Sequence, residues 1–281
     1  MDLLVVKVGG SCLDELEPAW WDALAEAVHA AERPTKLVVV HGWSRMVSAA
    51  TPDGQPDFVV DKHGHRSRYT TPEVLDQIVG IAAELRDRIA AVLRERGLTV
   101  GSVDGADSGL LHAEVRQNMW WVGDDLVPLT NLVGPVRDVD ATILDALLAE
   151  SDAAIVSPLA RAAGHPRVNT DADRAAAAIA GAGGARSLVL VMDAEAFEAD
   201  GEVVSRTTRA ELPRLAGHAK GGMAKKLRAV EEGFARGVER VAIGRAPVPD
   251  LLAGRAGTLI DGSAEEGGAH PAGAGRRADG G

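Results

Sequence analysis

Apolar and polar positions along this chain follow two different periods. Short apolar-rich segments at Leu3–Val8, Lys36–Val40, Thr99–Val103, Ala153–Val156, Leu188–Met192 and Val238–Ile243 predict strands, and the continuous run at Lys36–Val40 predicts burial on both faces. Between them lie stretches of helical period. Glu15–Ala31 sets Trp20, Leu24 and Val28 four apart, and Thr71-Pro72-Glu73 opens a stripe of Val74, Ile78, Ile81, Leu85, Ile89 and Val92. That stripe is core or a dimer seam. Ala141–Ser151, Asp171–Ala182 and Met223–Arg236 complete the predicted helices. Phe58–Tyr69 reads as a hairpin turning at Lys62-His63-Gly64-His65, Trp120–Val133 as β-rich, and Thr258–Ile260 as a last strand. The β-α-β rhythm predicts an α/β fold with a mainly parallel central sheet flanked by helices, and ligands at the carboxyl ends of its strands. From Gly262 onward large apolar residues are almost absent, so 262–281 reads as a disordered tail.

Composition narrows the function classes. Aromatics make up only 3% of the chain, so Ala, Val and Leu must fill the core. A formal charge of −11 offers no cationic excess for general nucleic-acid binding. The single cysteine, Cys12, leaves no intramolecular disulfide, reads as a small buried residue and fits a reducing cytosol. No apolar run of about 18 residues is present, so a cytoplasmic protein that neither spans a membrane nor carries a secretory leader is expected.

Two lysine sites carry the candidate chemistry. Lys7 ends a buried strand and opens onto Gly9-Gly10-Ser11; Lys220-Gly221-Gly222 leads into a helix bearing Lys225 and Lys226. Glycines let backbone N–H groups approach an anion and the lysines add point charge, so both sites read as phosphate cradles and phosphoryl transfer leads.

The motif order VVKVGGS, VVVHGxS, GHRSRYT, RVNTDADRAAAAIA, LVLVMD, GGMAKKLRAVEEGFARGV and GTLI, across roughly residues 3 to 260, resembles the amino acid kinase family. It is most similar to the acetylglutamate kinase branch, and within it to kinases of the LysW type, which phosphorylate the side-chain carboxylate of 2-aminoadipate or glutamate held on an acidic amino-group carrier protein. The resemblance implies a homodimer, an acyl-substrate and dimerisation lobe over 1–180 and a nucleotide lobe over 181–261. It implies ATP with Mg²⁺, bound between the phosphates and not by a protein metal site. Lys7 would bind the phosphate chain, Lys226 would stabilise the transferring phosphoryl group, and Asp171 would hold both lysines while also fitting a helix N-cap. Gly9, Gly10 and Ser11 would supply N–H groups. Gly42, Trp43, Ser44, Arg68, Arg167 and Asn169 would meet the acyl substrate. Asp193, Phe197, His218, Lys220 and Gly222 would surround the nucleotide. The chemistry is consistent with this: a carboxylate nucleophile is already ionised at neutral pH and needs charge compensation, not a general base.

Three positions depart from the family pattern. Trp43 stands where the family carries a glycine, Arg167 where acetylglutamate kinases often place an asparagine, and Asp107-Ser108-Gly109 replaces an Asp-Gly-Gly-like turn. At Trp43 either the indole swings away and the N–H still donates, or the acyl pocket is rebuilt for another substrate, or substrate binding is lost. Arg167 fits a more anionic or carrier-borne acceptor; the third departure is local. Trp43 and Arg167 together disfavour free N-acetylglutamate. A non-catalytic member that only binds nucleotide or a partner is the reading of a different class. Lys62, His63, His65, Arg66 and Arg68 form a basic stretch suited to steering an acidic carrier.

Overall fold

The apolar runs assemble into one eight-stranded sheet. In the computed structural model, residues 2–262 are described apart from 11, 31–33, 52–55, 65, 116, 117, 123, 220 and 221. In chain order the strands are β1 (Asp2–Val8), β2 (Thr35–His41), β3 (Val100–Asp104), β4 (Ala153–Ser157), β5 (Ser187–Val191), β6 (Arg206–Thr208), β7 (Arg240–Gly244) and β8 (Thr258–Asp261). Their spatial order is β6-β8-β7-β5-β1-β2-β4-β3. All neighbours from β3 through to β7 are parallel, and only β8 runs antiparallel to β7. The fold is therefore α/β with a mainly parallel sheet. The sheet crosses the 180/181 boundary without a break, because β1 pairs with β5 from Leu4↔Ser187 to Val8↔Val191.

The helices are α1 (Pro18–His29), α2 (Ser44–Ala50), α3 (Pro72–Arg94), α4 (Ala141–Ala149), α5 (Ala172–Ala182), α6 (Leu212–Ala216), α7 (Gly222–Ala235) and α8 (Val248–Leu252). One apolar layer joins one sheet face to α1, α3 and α8 through Trp20, Trp21, Leu24, Ile78, Leu85 and Leu251. The other packs α4 to α7 on the opposite face. The predicted stripe on α3 is core at Val74, Ile78, Leu85 and Ile89. With few aromatics, close approach substitutes for bulk: Ala175–Ala180 of α5 are all buried, and this thin helix lies between the sheet and α7.

Chain direction reverses about β1. From there the connections step outward through β2 to β4 and β3 on one side and through β5 to β7 and β8 on the other, which opens a crevice at the carboxyl ends of β1, β2 and β5. The hairpin Phe58–Asp61/Arg66–Arg68 is present and joins Asn118–Val122 and Asp125–Leu129 in a separate four-stranded antiparallel sheet. The sequence periods did not reveal α2, nor the second small sheet of Leu111–Ala113, Val136–Val139, Leu159–Ala162 and His165–Asn169. The tail beyond 262 lies outside the described residues. Among the described residues, no helix is long and apolar enough to cross a membrane.

Candidate active site

At the carboxyl end of β1 two glycine loops touch. A Cβ on Gly10 would lie 2.6 Å from the Gly42 carbonyl oxygen and 2.9 Å from the Trp43 Cα, so no larger residue fits there without moving one of the loops. Gly42 in turn faces Lys7 Cε and Ala172 of α5. The Gly42 N–H donates to the Val8 carbonyl (2.9 Å) and the Gly9 N–H to the Val191 carbonyl (3.3 Å), so these two amides hold the loops to the sheet. That is a correction for Gly9, whose N–H is engaged within the fold. Ser11 lies outside the described residues.

Lys7 and Lys226 meet on one carboxylate, and it belongs to Asp173. Lys7 Nζ lies 2.8 Å from Asp173 Oδ1 and Lys226 Nζ 2.8 Å from Oδ2, with all three side chains at least 87% shielded from solvent. Asp171, expected to hold the lysines, is the N-cap of α5. Its Oδ1 accepts from the Asp173 and Arg174 backbone N–H groups (3.0 and 3.1 Å). The reason is positional: a capping carboxylate is turned into its own first turn, whereas the residue two positions on points out of it. Asp171 still acts on both lysines as a nearby negative charge.

Burial and charge oppose one another in this triad. Burial alone would raise the Asp173 pKa, but Lys7 and Lys226 reverse this and hold the carboxyl well below the usual range. Burial pulls Lys7 down, and Asp173 with Asp171 more than compensates, leaving it above the ordinary lysine value. Lys226 stays below that value, because burial and the like charge of Lys7 outweigh Asp173. Two ammoniums on one carboxylate leave a net positive charge in a shielded crevice. The N-termini of α5 and α7 add partial positive charge on the same side. The arrangement is completed by an anion, and the fit is to phosphate oxygens. A bidentate pair fixes α7 against α5: Arg174 Nε donates to Glu232 Oε2 (2.9 Å) and Nη2 to Oε1 (2.6 Å).

The expected acyl residues divide. Ser44 and Arg68 meet: Arg68 Nη2 donates to the Ser44 carbonyl (2.9 Å) and Oγ (3.0 Å). Trp43 turns its indole into the apolar layer, 5% exposed and edge-on to His41 at 5.8 Å, with φ −138°. The backbone there needs no glycine, and the indole does not line the crevice. Arg167 pairs with Asp107, with Asp104 Oδ2 4.0 Å away, which ties it to the turn after β3. Asn169 is buried and donates from Nδ2 to Thr70 Oγ1 (3.1 Å); Asn131 Oδ1 accepts from the Thr70 N–H (2.8 Å) on the other side. Asn131, Asp57 and Ser48 had no sequence motif to point to them, and His41 stood in the VVVHGxS motif without a role. His41 is fully buried, with Nε2 3.0 Å from Ser157 Oγ; burial and the nearby charge of Arg86 lower its pKa to about 3.

Of the residues expected to surround the nucleotide, Asp193 is exposed just past β5. Phe197 corrects the expectation: its ring is 2% exposed within the apolar layer, and its N–H donates to Thr258 Oγ1 (2.9 Å). His218 Nδ1 sits 2.8 Å from Asp200 Oδ1, at the turn of the Phe197–Ala199/Glu202–Val204 hairpin. Gly222 opens α7 with free space around its Cα, and Lys220 lies outside the described residues. Among the described residues, no group of three or more His, Cys, Asp or Glu gathers as a metal-ligand set.

Comparison with known proteins supplies the remaining observations. The profile of the Amino acid kinase family matches residues 2–245. The LysW-aminoadipate/LysW-glutamate kinase of Saccharolobus islandicus (strain Y.N.15.51) is 31% identical over 249 residues, 86% of this chain and 92% of that protein. The enzyme of the same name from Metallosphaera sedula is 29% identical over 269 residues, 92% and 100% of the two chains. Among solved structures, N-acetylglutamate synthase from Neisseria gonorrhoeae superposes with TM-score 0.73 at 23% identity, over 94% of this chain; the chain spans 60% of that protein's length. Carbamate kinase from Giardia lamblia bound to AMP-PNP gives TM-score 0.64 at 14% identity, covering 93% and 99%. These structural likenesses speak to the fold.

Proposed function

Because this chain belongs to the amino acid kinase family, we propose that it transfers the γ-phosphoryl group of ATP to the side-chain carboxylate of 2-aminoadipate or glutamate carried on an acidic amino-group carrier protein. The chain is a phosphotransferase of that family. The observation that carries the reading is the buried carboxylate of Asp173 shared by Lys7 and Lys226, a net positive site beside the Gly10 and Gly42 loops.

In this reading the acceptor carboxylate arrives ionised and attacks in line. Lys7 compensates charge on the phosphate chain, and Lys226 compensates charge on the transferring group and the leaving oxygen. Asp173 keeps both ammoniums in register. Burial and the like charge of Lys7 press on the Lys226 ammonium, so the negative charge that develops on the transferring group is compensated most strongly in the transition state. Magnesium would enter with the nucleotide, where it screens the phosphate oxygens; the described residues supply no ligand set of their own for it.

Trp43 and Arg167, the two departures that separate this chain from a free-acid enzyme, are both engaged in structural contacts. The carrier-borne acceptor is therefore supported by the names of the relatives and by the exposed Lys62, His63 and Arg66 of the hairpin, which lie on a chain of net charge −11. Hydroxylamine trapping of acyl phosphate with ATP and Mg²⁺ tests the proposal, with free N-acetyl-L-glutamate, carrier-borne glutamate and carrier-borne aminoadipate as acceptors. Signal with a carrier-borne acid alone supports the reading. Signal with the free acid moves the chain to ordinary acetylglutamate chemistry, and none with any acceptor leaves only a binding role.

A further inference from the structure

The Arg68 guanidinium is already holding a carboxylate. Nη1 donates to Asp57 Oδ1 (3.2 Å), while Nη2 donates to the Ser44 carbonyl, Ser44 Oγ and Ser48 Oγ (2.9, 3.0 and 2.8 Å). The Phe58 ring lies under the guanidinium, 4.7 Å from centroid to Cζ, and the Arg68 side chain is 7% exposed. Three bonds to the first turns of α2 and an aromatic floor leave the arginine no second position. Asp57 is different. Its side chain is 34% exposed, and the Ser48 hydroxyl remains a partner for it if it leaves Nη1.

An arginine fork recognises a carboxylate through a fixed set of N–H groups and one unit of charge. Here the charge is neutralised by Asp57 and one face of the fork is occupied. A second carboxylate brought to the same guanidinium would add uncompensated negative charge beside Asp57, so the incoming group gains Arg68 only as Asp57 withdraws. Ser44 follows directly on the Gly42-Trp43 loop beside Lys7, which places this exchange at the acyl side of the crevice.

We propose that Asp57 is an internal competitor for the substrate carboxylate at Arg68, and thereby sets how tightly the acyl subsite binds its acceptor. This rests on the reading above that Arg68 meets a carboxylate of the acyl substrate. Asp57 sets affinity here: a tethered competitor raises the apparent Kd of every carboxylate acceptor by the same factor.

The test pairs Asp57→Asn and Asp57→Ser with Arg68→Lys in the full chain, using carrier-borne 2-aminoadipate and carrier-borne glutamate in the trapping assay and in calorimetric titration. Release of a part-exposed ion pair should lower the acceptor KM and Kd about two- to fivefold in both Asp57 variants, with the KM for ATP unchanged. Arg68→Lys should raise the acceptor KM and Kd by at least about tenfold. If Arg68→Lys raises them and the Asp57 variants raise them too or leave them unmoved, Asp57 is a structural tie and the proposal falls alone. If Arg68→Lys leaves acceptor binding unmoved, the carboxylate reading of Arg68 fails and takes the proposal with it. Thermal unfolding of each variant separates these from loss of the hairpin, because a purely structural Asp57 would lower Tm and weaken acceptor binding together.

Discussion

Replacing Asp173 by asparagine, with Asp171→Ala beside it, separates the two carboxylates of the Asp-x-Asp pair. Asp173→Asn keeps the shape and removes the charge shared by Lys7 and Lys226, whose side chains are 9% and 13% exposed. Removing one partner from a buried ion pair costs about 3–5 kcal/mol. Asp171→Ala removes a cap that accepts two N–H groups and should cost about 1 kcal/mol. Urea unfolding at neutral pH reads both. Misaligned ammoniums lose transition-state contact, so Asp173→Asn should lower kcat by roughly 10²–10³, whereas Asp171→Ala should stay within about tenfold. The pH profile supplies a second signature. Asp173 has a depressed folded pKa, so its stabilisation is present above the unfolded carboxylate value and is lost as pH falls toward the folded one; that acid loss should be missing from Asp173→Asn. Without the carboxylate, both lysines lose their protons at lower pH, and the alkaline limb of activity should move toward neutrality. Turnover preserved in Asp173→Asn but abolished in Asp171→Ala would refute the assignment.

Other perturbations read other parts of the site. Gly10→Ala drives a methyl into the Gly42 carbonyl and should cost about 1–3 kcal/mol together with most activity, while Gly222→Ala meets open space and should unfold like the parent. His41 stays neutral until about pH 3 in the fold, because of burial and then Arg86, but protonates near pH 6.5 when unfolded. The unfolded state thus binds the extra proton, and stability falls on the order of 4–5 kcal/mol as pH drops from 6.5 to about 3; denaturation against pH should show this limb flattened in His41→Gln. Arg174→Gln frees α7 from α5 and should lower kcat more than it lowers stability, with Glu232→Gln giving the same loss and the double variant no more than either.

The central sheet and the long helices were legible because their signals are local. An unbroken apolar run such as Val38–Val40 has few alternatives to a doubly covered strand, and all three residues are fully buried in β2. Helix α2 carried no comparable signal. Its seven residues hold one buried position, Val47, and it is kept in place by Arg68 from a hairpin some twenty residues on. Phe197 departs from expectation for a related reason: what decides whether an aromatic ring lines a pocket or fills a core is the apolar layer it joins, here one that includes Leu212 and Leu215 from later in the chain.

The same logic accounts for two places where the contacts differ from those expected of the sequence. Asp171 and Asp173 differ by two positions, and both fit a carboxylate near lysines. What separates them is backbone demand. The first turn of a helix has unmet N–H groups, and a side chain at the N-cap is drawn to them before it can serve anything else. The lysines then pair with the acidic residue that the cap does not claim. Arg167 follows the same course. Asp107 and Asp104 lie on a turn brought alongside its strand by the second small sheet, so a guanidinium at a position favourable for substrate is engaged before any substrate arrives. Arg68 is also engaged, by a carboxylate with 34% of its side chain in solvent. Asp107, 64% exposed, is at least as free to withdraw as Asp57; what separates the two arginines is that Arg68, 7% exposed against 26% for Arg167, is held by Ser44 and Ser48 as well as by its carboxylate.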